Sequence, residues 1–175
     1  KRERPLQRFD MPCKLNPLLE KKWSTGSGNS ITLNEVSVLV SNHSKKNKKI
    51  FIGSDSFIYR KKVAYVTAVC LLTEKRGGRY FFYKENVPFQ RFSTLSVRIT
   101  EEVRKSIELA EYFMNNFNIS PDMIELHLDV SPFAAKEGTS KLSEMLKGYV
   151  QGYGFGCKLK PNAWASQSVA DRHSK

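Results

Sequence analysis

Between residues 50 and 87 the chain is mostly apolar, in three runs: "IFIGSDSF", "KKVAYVTAVCLLTE" and "RYFFYKENV". Runs rich in Val, Ala, Ile and aromatics, separated by basic or glycine-rich links, predict three strands. Links this short predict an antiparallel meander. The period then changes. In "TLSVRITEEVRKSIELAEYFMNNF", Ile99, Val103, Ile107, Ala110 and Met114 recur on one helical face, and Asn118 and Pro121 mark the exit. "MIELHLDVSP" returns to strand patterning and, reached through a helix, is expected to run parallel to the first strand. "SKLSEMLKGYVQGYG" is helical again, with Leu142, Met145, Leu146 and Tyr149 as its apolar stripe. "GFGCKLKP" reads as a fifth strand and "AWASQSVADRHSK" as a closing helix. Upstream, "ITLNEVSVLVSN" carries two periods. Val36, Val38 and Val40 alternate, but Thr32 and Glu35 form a capping box and Leu33, Val36 and Val40 share a helical face, so a short helix is predicted. Residues 1–30 are polar, basic and broken by Pro5, Pro12, Pro17, Gly26 and Gly28. They predict an extended basic segment ahead of one domain over residues 31–175.

Composition sharpens this in three ways. Hydrophobic residues make up 40% of the 175, enough for a core and too many for a disordered chain. No apolar run approaches the length of a membrane span, and the N-terminus has no hydrophobic segment of a secretory signal. It also lacks an initiator Met, which suggests a fragment. The three cysteines, Cys13, Cys70 and Cys157, are odd in number and far apart, as in a reduced, intracellular protein, with the cytoplasm the expected compartment. Cys70 in "AVCLL" is expected in the core. Lys and Arg number 29 against 17 Asp and Glu, a net charge of +12, which favours a polyanionic partner such as nucleic acid through counterion release.

Three antiparallel strands followed by helix-linked parallel ones describe an α/β, ribonuclease-H-like mixed sheet of five strands flanked by helices. In such a sheet the carboxyl ends of the central strands open onto a crevice. Asp55 lies near the end of the first strand and Asp129 near the end of the fourth, so the two are expected to meet. Two carboxylates in a low dielectric need a proton or a cation between them, and Mg²⁺ or Mn²⁺ meets that need with oxygen ligands. Two such ions can clamp the attacking and leaving oxygens of a phosphodiester displacement. Glu102 shares its helix face with Ile99, Ser106, Leu109 and Phe113 and so faces inward. Glu101 shares its face with Lys105, Glu108 and Tyr112 and faces out. Asp171 in "SVADRHSK" is the fourth candidate ligand.

The segments "IGSDS", "RYFFYKENV", "RITEEVRKS", "LHLDVSP", "GYVQGYGF" and "KLKPNAWASQSVADRHSK" resemble the bacterial YkuK-type branch of the ribonuclease-H-like superfamily, from about Ile31 to Lys175. The resemblance implies the fold and a metal-dependent nuclease site at Asp55, Glu102, Asp129 and Asp171. Phe57 stands where that pattern expects a polar residue.

His173 is a candidate for proton transfer, and His127 reads as a hydrogen-bonded core histidine. Lys160 is placed to hold a phosphate or neutralise an acid. Lys45, Lys46, Lys48 and Lys49, with Arg60, Lys61 and Lys62, bracket the first strand and are expected to flank the crevice and contact phosphates. A two-metal nuclease acting on RNA, an RNA–DNA hybrid or branched DNA follows. The alternative is a catalytically silent RNA-binding subunit of a ribonucleoprotein.

Overall fold

The computed structural model describes residues 16–73, 77–130 and 137–174. Two short strands, β1 (Trp23–Thr25) and β2 (Ser30–Ile31), precede helix α1 (Leu33–Ser44). The meander follows as β3 (Ile50–Tyr59), β4 (Lys62–Thr73) and β5 (Gly77–Pro88), and leads into the long helix α2 (Leu95–Phe117). Then come β6 (Ile124–His127), α3 (Glu137–Gly152), β7 (Gly156–Lys158) and a π-helical turn, Ala165–Ala170, that runs into α4 (Asp171–Ser174). The strands form one sheet in the order β2-β1-β5-β4-β3-β6-β7. The meander is antiparallel, and β6 and β7 run parallel to β3.

The expected mixed sheet with flanking helices is present, but it has seven strands and not five. The additional pair is too short to show alternation in sequence. What anchors it is one residue: Trp23 is buried, pairs with Tyr83 across the β1–β5 ladder and meets its ring edge-on at 4.9 Å. Part of the segment read as an extension therefore lies on the sheet edge, and residues 1–15 fall outside the described residues.

Alternation along β4 divides the core. Val69 and Leu71 point to the side covered by α1, α2 and α3, while Val66, Ala68 and Cys70 pack with Ala165 and Ala170 of the C-terminal segment. The capping box of α1 forms as expected. Glu35 N donates to Thr32 Oγ1 at 3.2 Å and Thr32 N to Glu35 Oε2 at 2.8 Å. Helix α2 buries Ile99, Val103, Ile107 and Ala110 and ends at Asn118, which takes the left-handed conformation of a helix stop. The stripe of α3 is rotated from its predicted position. Leu146 and Val150 are buried, whereas Met145 and Tyr149 are exposed, the latter packing against Tyr153. Burial there follows the i, i+4 line through Val150.

Candidate functional site

β3 and β6 pair only from Ile50–Ile124 to Gly53–His127. There β6 ends, while β3 continues beside β4 as far as Tyr59. The parting of the two strands opens a crevice. Asp55 is thus in mid-strand, and it is the early end of its neighbour that leaves it accessible. The cavity measures about 280 Å³ and is lined by Asp55, Ser56, Arg98, Glu102, Asp129 and Lys160, with Leu95, Ile99 and Val130.

Each acid arrives from a different element. Glu102 comes from the buried face of α2, which is tied to the sheet by hydroxyls: Ser54 Oγ lies 2.8 Å from Ser106 Oγ and 2.9 Å from Thr67 Oγ1. Asp129 lies two residues past β6. The backbone there is held alongside the chain that follows β7, by Leu128 N to Lys158 O at 2.9 Å and Lys160 N to Val130 O at 3.0 Å. That pairing brings Lys160 Nζ to 2.6 Å from Asp129 Oδ1. The contact is an ion pair that places an ammonium directly on a buried carboxylate oxygen.

Burial raises the pKa of Asp55 above the ordinary carboxylate range. A hydrogen bond from Ser174 Oγ at 2.7 Å opposes this, and the charges of Asp129 and Asp171 add to it. Glu102 is pushed up to about 8, first by burial and then by Asp55 and Asp129, although Ser56 Oγ donates to it at 2.6 Å. In both groups burial leads and the neighbouring acids add to it.

The fourth acid depends on how the C-terminal segment seats. A Cβ built on Gly53 would lie 2.5 Å from Ser166 N and 2.8 Å from the carbonyl carbon of Ala165. With no side chain there, the π-helical backbone lies directly on β3. His127 fixes the start of the turn. It is buried as expected, its Nδ1 accepts from Ala165 N at 3.0 Å, and its Nε2 faces Glu125 Oε1 at 3.2 Å. Burial lowers its pKa, so the neutral ring is favoured, with its proton on Nε2. Seated this way, the segment sets Ser174 against Asp55. Asp171 does not line the cavity, but its charge is felt at Asp55.

The remaining candidates separate. His173 stacks on Phe82 with ring centroids 3.9 Å apart and bonds to Tyr80 at 3.0 Å, outside the crevice lining. Lys45, Lys46, Lys48 and Lys49 do not flank the crevice as expected. They precede Ile50, at the end of β3 where it is still paired with β6, roughly 15–20 Å along the strand from Asp55. Lys49 there faces Glu125 at 3.5 Å. Arg60, Lys61 and Lys62 are at the β3–β4 turn, on the crevice side. Sequence reasoning missed Arg98, Ser56 and Ser174. Arg98 had a visible signal, since it stands one helical turn before Glu102. Ser174 had none, because its partner is 119 residues away.

A pair of divalent ions is the sequence-based expectation for this crevice. The donors fit in kind: carboxylate oxygens suit a hard cation, and a cation would offset both the burial and the repulsion that raise Asp55 and Glu102. They are not assembled into a ligand set. Among the described residues, no three His, Cys, Asp or Glu side chains form a group able to hold a metal ion. Ser174, Ser56 and Lys160 each contact one carboxylate oxygen.

A family model described as ribonuclease H-like matches residues 32–175. No curated protein and no solved structure matches the chain. The matched span runs from the capping residue of α1 through the crevice to the C-terminal helix, and so takes in the sheet centre and all four acids. On that match the chain belongs to the ribonuclease-H-like family, whose mixed sheet flanked by helices it shares.

Proposed function

We propose that the protein hydrolyses phosphodiester bonds of nucleic acid at this crevice, with two Mg²⁺ or Mn²⁺ ions held by Asp55, Glu102, Asp129 and Asp171. One observation carries the reading: carboxylates from β3, α2 and the segment after β6 converge on a single cavity that also holds Arg98 and Lys160. Ions of this class, when bound, polarise phosphoryl oxygens and make water acidic enough to attack. The chain's own residues position the parts. Ser174 and Ser56 orient Asp55 and Glu102. Arg98 and Lys160 offer positive charge to the phosphate, with Lys160 leaving Asp129 as it does so. The net charge of +12 favours capture of the polyanion. RNA, an RNA–DNA hybrid and branched DNA are the substrate classes to try. The test is cleavage of labelled forms of each with Mg²⁺ or Mn²⁺, wild type against Asp55→Asn. Cleavage that persists in chelator, or is equal in the variant, defeats the proposal.

The Lys160–Asp129 ion pair favours a second reading. An ammonium already neutralises one acid, as in a silent RNA-binding subunit that needs no ion. Steeply salt-dependent binding with no turnover under any divalent ion selects this alternative.

A further inference from the structure

Past Asp55, β3 continues through Phe57, Ile58 and Tyr59, which are 37%, 38% and 58% exposed. Side chains two residues apart share a sheet face, so Asp55, Phe57 and Tyr59 form a row with steps of about 7 Å. Across the ladders Phe57 faces Ala64 and then Asn86, while Tyr59 faces Lys62 and then Pro88. Tyr59, Arg60, Lys61, Lys62 and Asn86 line a hollow of about 610 Å³ with no carboxylate among them. The Arg60 guanidinium lies 5.1 Å from the Tyr59 ring centre, which keeps a positive charge at an exposed aromatic face.

We infer that this outer end of the β3–β4–β5 ribbon is a platform for unpaired bases of a nucleic-acid strand whose backbone leads to Asp55. The inference rests on the nucleic-acid reading above and narrows it to a substrate with a single-stranded portion. Three observations support the narrowing. Exposed aromatics stack bases of any sequence, and the cations beside them track phosphates. A blunt duplex keeps its bases inside and presents phosphates, so it would leave Phe57 and Tyr59 without a partner. The described residues that line the hollow include three cations and no carboxylate, which suits a phosphate backbone.

The experiment is fluorescence anisotropy in chelator, using the Asp55→Asn protein so that probes stay intact. Three probes are compared: a blunt duplex, the same duplex with a single-stranded overhang, and the overhang strand alone. The overhang probe is expected to bind roughly ten-fold tighter than the blunt one. A second substitution, Tyr59→Ala, removes most of that difference and leaves blunt-duplex binding unchanged, whereas Tyr59→Trp keeps it. Phe57→Ala acts in the same direction. Replacing Lys62 with Ala weakens all three probes and lowers the salt dependence by about one phosphate contact. An overhang preference untouched by both aromatic substitutions, or an equal loss on all probes, overturns the platform. Cleavage that proceeds with no dependence on Tyr59 overturns the platform alone. A Tyr59-dependent preference with no cleavage by the wild type on any substrate overturns the hydrolytic reading alone. No binding to any probe overturns both.

Discussion

Glu101 and Glu102 are neighbours on α2, and their surroundings are opposite. Burial alone would raise Glu101, but Arg104, which donates to it twice at 2.8 Å, and Lys105 hold its pKa below the usual range. The buried Lys105 reaches Glu85 at 2.8 Å, and Lys21 reaches the same carboxylate at 3.0 Å. This side of the helix closes its own circuit of charge. One residue on, Glu102 faces Asp55 and Asp129, with Arg98 and Lys160 as the cations among the described residues that line the crevice, and its pKa rises to about 8. The first cluster is complete in the free protein. The second carries an excess of acid that burial penalises, which the first avoids by supplying cations from its own chain. A structural network and a candidate site are distinguished here by the balance of countercharge and not by the number of acids.

The sharpest break in this comparison is expected in catalysis. Asp55→Asn should lower divalent-dependent cleavage on the order of 10²–10³-fold, while Glu101→Gln changes it little, as gel-resolved initial rates will tell.

Next comes pH. In the folded chain burial and the neighbouring acids push the Glu102 carboxyl up to about 8, well above the ordinary carboxylate range it has when unfolded. The stability it contributes is fully present below the unfolded pKa and is lost as pH rises through the folded one. In chelator, wild-type thermal melts should therefore lose on the order of 3 kcal/mol between about pH 4.5 and 8.5. Glu102→Gln should lack that component and melt higher at pH 8, and Mn²⁺ should flatten the wild-type profile.

On the other side of α2 the sign reverses. Lys105→Met leaves Glu85 and Glu101 short of a cation and should cost about 1–3 kcal/mol, since both acids are partly solvated. The corresponding fall in Tm is roughly 2–10 °C.

The smallest effect is expected at Lys160. Its ion pair with Asp129 is part-exposed, so Lys160→Met should alter stability by less than about 1 kcal/mol. Titration calorimetry should show Mn²⁺ binding more tightly to the variant, because a competing cation is gone. Weaker binding would mean that the ammonium supports the ion.

What could be read from sequence follows the range of the interaction that fixes each feature. The capping box of α1 and the apolar faces of α2 and the meander are local patterns, and all formed. The choice of Glu102 as the inward acid also came from helical periodicity, and its burial agrees, but the face of Glu101 is not the solvent face expected, because Lys105 and Tyr112 on it are buried. The three residues Trp23–Thr25 could not announce a strand, because their partner β5 begins 52 residues after the last of them. The lysines of residues 45–49 were misplaced because a run beside a strand says nothing about which end of that strand opens the crevice. His173 lies two residues from Asp171, yet Phe82 and Tyr80 of β5 hold its ring. Proximity along the chain did not predict what it packs against.

Gly53 has no reactive group, and a survey of β3 for chemistry would pass over it. Adding one methyl there would push Ala165 and Ser166 off the strand, since what it strikes is main chain, which cannot rotate aside as a flexible side chain does. Ser174 and Asp171 would leave with them. In a saturation-mutagenesis map of this strand, the least tolerant position is therefore expected two residues before the acid, with the damage read out at the acid itself.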